Sequence, residues 1–270
     1  MKMFAFLLLA GLFSSTTPHA QETIIRITNG EWEPYLSEYS YEYGAISHII
    51  NEAFKLEGID VIWGFYPWRR SYILAEHCTW DASAAWWPTK EAKENFLISE
   101  PIIKTHFVFF HVAGSGFQWK SFDDLKAYRI GTTIGYDYGD EFMTAVKEKR
   151  ISIQEVRKDE LNYSKLLAKG RIDIFPNDPI VGYAQIRNSL TPQQAARLTH
   201  HPKKFAHSTL NLIMANKCPN SGLFMEKFNA GFKKLKDSGR IDQIYKDLES
   251  GKYDKQKNKW NDQQDRQIDR

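Results

Sequence analysis

Residues 81–101 read DASAAWWPTKEAKENFLISEP. Five small or acidic residues, Asp81 to Ala85, suit a backbone that another group approaches closely. Trp86 and Trp87 follow, then Pro88, whose missing N–H cannot join a ladder and so ends a strand. Thr89, with Ala92 three residues on, has the spacing of a helix N-cap that takes up one of the orphan N–H groups of a first turn. A strand end, two aromatic rings and a helix start together make a shelf for a small molecule. Successive strand residues face opposite ways, so at most one of the adjacent tryptophans can fill a core. At least one of them is expected to face a ligand.

Upstream, residues 24–28 (IIRIT) read as a buried strand. Ile46, Ile49, Ile50, Ala53 and Phe54 recur at helical spacing, with Gly58 as the stop. Ile59, Val61 and Trp63 alternate as a second strand, and residues 68–76 form a second helix leading into the opening stretch. Strands alternating with helices imply a parallel sheet with right-handed crossovers. Ligands on such sheets sit beyond the carboxyl ends of the strands. Those ends carry Trp32 and Tyr35, then Tyr66 and Trp68, then Trp86 and Trp87.

Downstream, an apolar strand over residues 106–113 ends in Gly114-Ser115-Gly116, the exit from a first lobe. A second α/β run begins with Ser121 and Asp124 at capping-box spacing. Strands follow at 128–133, 151–156 and 171–175, and helices at 141–150, at 160–169 and from Pro179. GYDYGD (135–140) and PNDP (176–179) each join a strand end to a helix start. A strand over 209–215 and an amphipathic helix over 221–235 come next. Residues 254–270 are nearly all charged or amide side chains and read as a disordered tail.

The first twenty residues have the order of a secretory signal peptide: Lys2, an apolar run from Met3 to Phe13, then small and polar residues to Ala20. Cleavage after Ala20 would give an exported, soluble protein. The chain has 36 basic and 33 acidic residues, and losing Lys2 lowers the net charge by one. That balance offers nothing to nucleic acid or an anionic membrane. His200, His201 and His207 are near in sequence, but no HExxH or CxxC frame accompanies them, so neither metal nor cofactor is expected.

Seven marks occur in order along the chain. They are Trp32-Pro34-Tyr35, Gly44 at the head of the first helix, PWRR (67–70), FLISEP (96–101), SFDDL (121–125), GRIDIFPND (170–178) and SGRIDQIYKDL (238–248). Together, over residues 24–251, they resemble the polar amino-acid-binding family of periplasmic solute-binding proteins, family 3 of the bacterial ABC-importer receptors. The resemblance implies an α/β, two-lobe, type II periplasmic-binding-protein-like fold with two hinge strands. Residues 21–112 and 207–253 would form lobe one and 113–206 lobe two. The chain would leave lobe one near Val112, return near Ala206, and clamp a solute by hinge closure. A monomeric periplasmic receptor follows, serving a small polar, amino-acid-like solute and an ABC permease, without catalysis. A membrane sensor is the alternative partner. A dehydratase on the same fold is the rival, with Glu33, Glu38 or Asp178 as general acid.

The resemblance also places residues. Lobe one would stack the solute through Trp32, Tyr35, Trp68 and Trp86 or Trp87, with Thr89 at the helix start. Lobe two would add Tyr136, Tyr138 and Asp178, with Asp137 either a contact or a cap. Members that bind amino acids carry an Arg for the α-carboxylate where this chain has Ala92. Either Arg69 or Arg70 supplies that cation, or the solute is not an ordinary α-amino acid, since Lys does not replace Arg's planar fork. Asp178 matches a carboxylate that holds the solute's ammonium group, although ahead of Pro179 it also reads as a helix cap. In the family's first lobe the strands after Cys78 and before Cys218 lie antiparallel side by side, which implies a Cys78–Cys218 disulfide, as an exported protein allows.

Overall fold

Apolar residues spaced three and four apart lie on helices in this chain, and alternating ones on strands, as the periodicity predicts. The structure, a computed structural model, describes residues 23–254. In chain order it runs β1 (Thr23–Asn29), α1 (Ala45–Lys55), β2 (Ile59–Phe65), α2 (Trp68–Glu76), β3 (Ala82–Trp86), α3 (Lys90–Asn95), β4 (Phe96–Ile98) and β5 (Ile103–Val112). It continues through β6 (Ile130–Thr133), α4 (Asp140–Lys147), β7 (Ile153–Val156), α5 (Asp159–Leu167), β8 (Ile174–Asn177), α6 (Pro179–Ser189), α7 (Pro192–Ala195) and β9 (Leu198–His200). β10 (Phe205–Ala215), α8 (Ser221–Asp237) and α9 (Arg240–Glu249) complete it. The signal peptide expected at 1–20 and the tail beyond Asp254 lie outside the described residues. Asp254 itself, the first residue assigned to that tail, is held by Arg187, whose Nη2 donates to Oδ2 at 2.7 Å.

Lobe one is the parallel trio β2-β1-β3 with helices packed on it. α1 buries the predicted face, including Ile46, Ile49, Ile50, Ala53 and Phe54, and Phe54 meets Phe228 of α8 at a ring separation of 5.5 Å. Lobe two is built on β8, β6 and β7, parallel to one another. Two long antiparallel strands join the lobes. β10 pairs with β3 and β4 toward its C-terminus and with β5 toward its N-terminus. β5 pairs with β10 from Ile103 to Phe107, then with β8 and β9 from Val108 to Val112.

Cys78, just after α2, and Cys218, just after β10, form a disulfide across a sequence separation of 140. It lies in a small apolar cluster with Ala75, Phe96 and Ile213, against which Tyr72 and Trp86 pack. The bond therefore fastens the end of the returning strand at the amino end of β3, away from the carboxyl edge of the sheet.

Lobe two has a polar core. The carboxylate of Asp159, at the start of α5, accepts from Thr133 Oγ1 and, at 3.0 Å, from Gln185 Nε2. Asn177 Nδ2 donates to Gln185 Oε1 and to Tyr163 Oη, both at 3.0 Å. Burial dominates these hydrogen bonds and raises the Asp159 carboxyl from its ordinary 3.8 to about 6.

Two outcomes follow. Replacing both Cys78 and Cys218 by Ser should lower the free energy of unfolding by about 2–5 kcal/mol, read from urea midpoints, and an unchanged midpoint would mean that the bridge does not form. For Asp159, the folded state keeps a proton that the unfolded state has released between about pH 4 and pH 6. Its contribution to stability is therefore complete below about pH 4 and lost as pH rises through about 6. The stability of wild type relative to Asp159→Asn should fall by up to about 3 kcal/mol between about pH 4 and pH 7. A difference independent of pH would show that Asp159 titrates like an exposed carboxylate.

Candidate functional site

Because β2, β1 and β3 are parallel, their carboxyl ends share one edge, and the aromatic residues beyond them converge there. Trp68 opens α2 behind Pro67. Its indole lies flat against the backbone of Gly30, where an added Cβ would come within 2.4 Å of the ring. Tyr72 follows one turn later on the same helix face. Trp86 stands perpendicular to Trp68, with rings 5.4 Å apart at 89°, and Tyr72 leans on Trp86 at 5.1 Å and 68°. The Trp86 indole N–H donates to Ser83 Oγ at 2.7 Å, fixing the ring. Trp32 is set by a tight turn in which its N–H donates to the Leu36 carbonyl at 2.7 Å.

Both adjacent tryptophans reach this place, against simple alternation. Asn211 pairs with Trp86 and Ile213 with Ser83, so β3 carries one residue more than β10 over the same step. Ala85 takes up that residue with a φ of 65°. Such a bulge re-aims the side chains that follow it. Trp87 then tucks toward the hinge, 5.3 Å from Phe107.

The result is a cavity of about 220 Å³. Lobe one lines it with Trp32, Trp68, Tyr72, Ala85, Trp86, Trp87, Thr89, Glu91 and Ala92. The hinge strands give Phe107 and Leu210, and the loop after β6 gives Gly135, Tyr136 and Asp137. Thr89 caps α3 as predicted, its Oγ1 accepting from Ala92 N at 3.1 Å. Asp137 closes a turn ahead of α4, its Oδ1 accepting from Gly139 N at 2.8 Å, while the N-cap of that helix is Gly139, without a side-chain cap. The Trp32 indole N–H and the Asn29 amide, at the same strand end, are buried without partners among the described residues. Such atoms are where water or a solute atom would be taken up.

Seven of the predicted residues come together here: Trp32, Trp68, Trp86, Trp87, Thr89, Tyr136 and Asp137. Five do not. Tyr35 is buried, and its hydroxyl donates to Asp178 Oδ1 at 3.4 Å. Asp178 is fully engaged within the protein: Oδ1 caps α6 by accepting from Ile180 N and Val181 N, and Oδ2 accepts from Thr105 Oγ1 at 2.6 Å. Burial raises its carboxyl above the ordinary range despite those donors. In this structure Asp178 acts as the helix cap and does not line the cavity. Tyr138 is buried, and its hydroxyl accepts from Thr133 N at 2.8 Å. It lines a second, wider depression of about 820 Å³ on lobe two, with Trp119, Arg150, Lys203 and Lys204. Arg69 and Arg70 are exposed and do not line the cavity. The Arg70 guanidinium lies over the Tyr66 ring at 4.8 Å.

Sequence reasoning missed Tyr72, Glu91, Phe107 and Leu210. Tyr72 had a signal, being four residues from Trp68 on a helix. Phe107 and Leu210 had none, since hinge-strand residues read as core. Among the lining residues only Glu91 and Asp137 carry carboxylates, and none is Lys, Arg or His. Burial, then the charges of Glu91 and Glu76, push the Tyr72 hydroxyl up to about 12. Burial, then the charge of Asp159, hold the Tyr136 hydroxyl well above its ordinary range.

No family model matches the chain, and no curated protein does. Solved structures match over nearly their whole length. An ancestral arginine-binding protein bound to arginine is 18% identical, with 85% of this chain and 99% of that one covered at a TM-score of 0.70. The GluR0 ligand-binding core from Nostoc punctiforme, in complex with L-glutamate, is 20% identical, with 83% and 98% covered at 0.67. A histidine kinase sensor domain with similarity to periplasmic binding proteins is 13% identical, with 84% and 96% covered at 0.68. Likeness at these identities speaks to the fold alone, and that fold is the two-lobed α/β architecture of the periplasmic binding proteins, with two hinge strands.

Proposed function

We propose that this chain is a periplasmic solute-binding protein that closes its two lobes on a small polar solute. One observation carries the reading. A single cavity is walled by lobe one, by lobe two and by both hinge strands, through Phe107 on β5 and Leu210 on β10. Bending those strands would open and shut it. The lobes also meet beyond the cavity, where Asn188 Nδ2 donates to Glu33 Oε1 at 2.8 Å. The division of the chain into 21–112, 113–206 and 207–253 belongs to this reading. The change of β5's partners at Phe107–Val108 supports a hinge inside that strand.

Residues 1–20 act in this reading as a cleaved signal peptide, and the protein works as a monomer beside an ABC permease. A membrane sensor is the second partner class. Glu33, Glu38 and Asp178 do not line the cavity, which favours binding over dehydration.

The test is a thermal-shift screen of the purified protein against amino acids, oligoamines, quaternary amines, small sugars and aromatic acids. A true solute at 100-fold its dissociation constant should stabilise the fold by about 2.7 kcal/mol. It should be recovered chemically unchanged, and Trp68→Ala should abolish the shift. A midpoint that no compound raises would sink the reading.

A further inference from the structure

Resting on that reading, we infer that the solute is a compact organic cation, an amine or quaternary ammonium without a carboxylate. Three independent observations converge on it. The first is the shape of the walls. The faces of aromatic rings carry negative potential, strongest for indole, and attract a cation placed over them within about 6 Å. Trp68 and Trp86 meet at 89°, and Trp86 and Tyr72 at 68°. A flat aromatic solute needs two parallel faces to stack between, and these edge-to-face rings provide no such slot. All three line the cavity together with Trp32 and Trp87, an aromatic surround that suits a compact cation better than a planar ring.

The second is charge. The chain has 36 Lys and Arg residues, yet among the described residues none of them lines the cavity, whereas Glu91 and Asp137 do. Lys90 and Lys93 flank Ala92 on α3 but are exposed and outside the lining. Ala92 offers a buried methyl group. The field of Glu91 reaches the aromatic wall, since its charge is among the causes that raise the Tyr72 hydroxyl. Behind the Tyr136 side of the cavity sits the buried Asp159. A carboxylate entering here would lose its water and find no cation in return. A positive charge would find two carboxylates and a set of ring faces.

The third is size. At about 220 Å³ the space lies below the ~300–1,000 Å³ of sites for drug-sized molecules. A single alkylammonium group with a short chain suits it.

Isothermal titration of the purified protein tests this with choline, tetramethylammonium and putrescine. The comparison compounds are 3,3-dimethylbutan-1-ol, the uncharged carbon isostere of choline, and L-glutamine. At least one of the cations should bind. If it is choline, it should bind at least tenfold more tightly than its isostere. The double variant Glu91→Gln/Asp137→Asn, both exposed positions, should weaken that cation at least fivefold while leaving the thermal midpoint of the free protein in place. Added salt should weaken the wild type more than the double variant. Binding of the isostere as tight as that of choline would overturn the inference. So would binding of glutamine or another screened solute with none of the cations bound, and in that case the solute-binding reading would stand. If nothing in either panel binds, both fall together.

Discussion

The arrangement depends on the pairing of β5 with β10. Among the described residues, this antiparallel pair alone passes its hydrogen bonds from one half of the sheet to the other, with Phe107 opposite Phe205 and Ile103 opposite Leu210. Beyond Phe107, β5 abandons β10 and takes β8 and β9 as partners. Beyond Leu210, β10 abandons β5 for β3 and β4. Each strand therefore belongs to both lobes. A small change of backbone angle where partners change moves one lobe as a body, because each lobe's own core stays packed. The cavity lies against this place, so its width follows from the hinge.

The same pairing explains the tryptophan shelf. β10 must register with β3 on one side and β4 on the other, and the mismatch is taken up at Ala85 in the left-handed region. That one residue breaks the alternation which would have sent Trp86 and Trp87 to opposite faces. Trp86 packs toward the disulfide cluster and Trp87 toward the main core, and both still line the cavity. A bulge at this strand end thus turns two aromatic residues into two walls, where a regular strand would offer one.

Much of this was readable in the sequence wherever the cause is local. The α1 face, the Thr89 cap, the Ser121–Asp124 capping box and the Asp178–Pro179 helix start each depend on residues within a few positions. Periodicity and side-chain reach define them. The predicted residues that lie away from the cavity depend on distant partners. Tyr35 read as a ligand group from its place among the aromatic residues at a strand end and Asp178 from the family resemblance, yet they lie 143 residues apart and hydrogen-bond to each other. No local pattern reports such a contact. The bulge at Ala85 was hidden for a related reason: it is imposed by β10, and alanine gives no sign of a positive φ.

Taken together, the burial of Asp178 and the composition of the cavity decide how a solute would be selected. Had Asp178 faced the cavity, its carboxylate would compete with the aromatic rings as the site of positive charge. Capping α6 and bonding Thr105 remove it from that role. What remains is diffuse: five aromatic rings of lobe one in the lining, with Glu91 and Asp137 exposed to water. Carboxylates in water attract a cation over a distance but hold it weakly once it arrives. The ring faces, half-buried and weakly hydrated, hold it at contact range. Division of labour of this kind separates capture from retention, because the carboxylates act on charge alone while the rings act on charge and shape. Selectivity among cations then rests with the angles between Trp68, Trp86 and Tyr72, and those angles are set by Gly30, the Ala85 bulge and the Ser83 hydrogen bond.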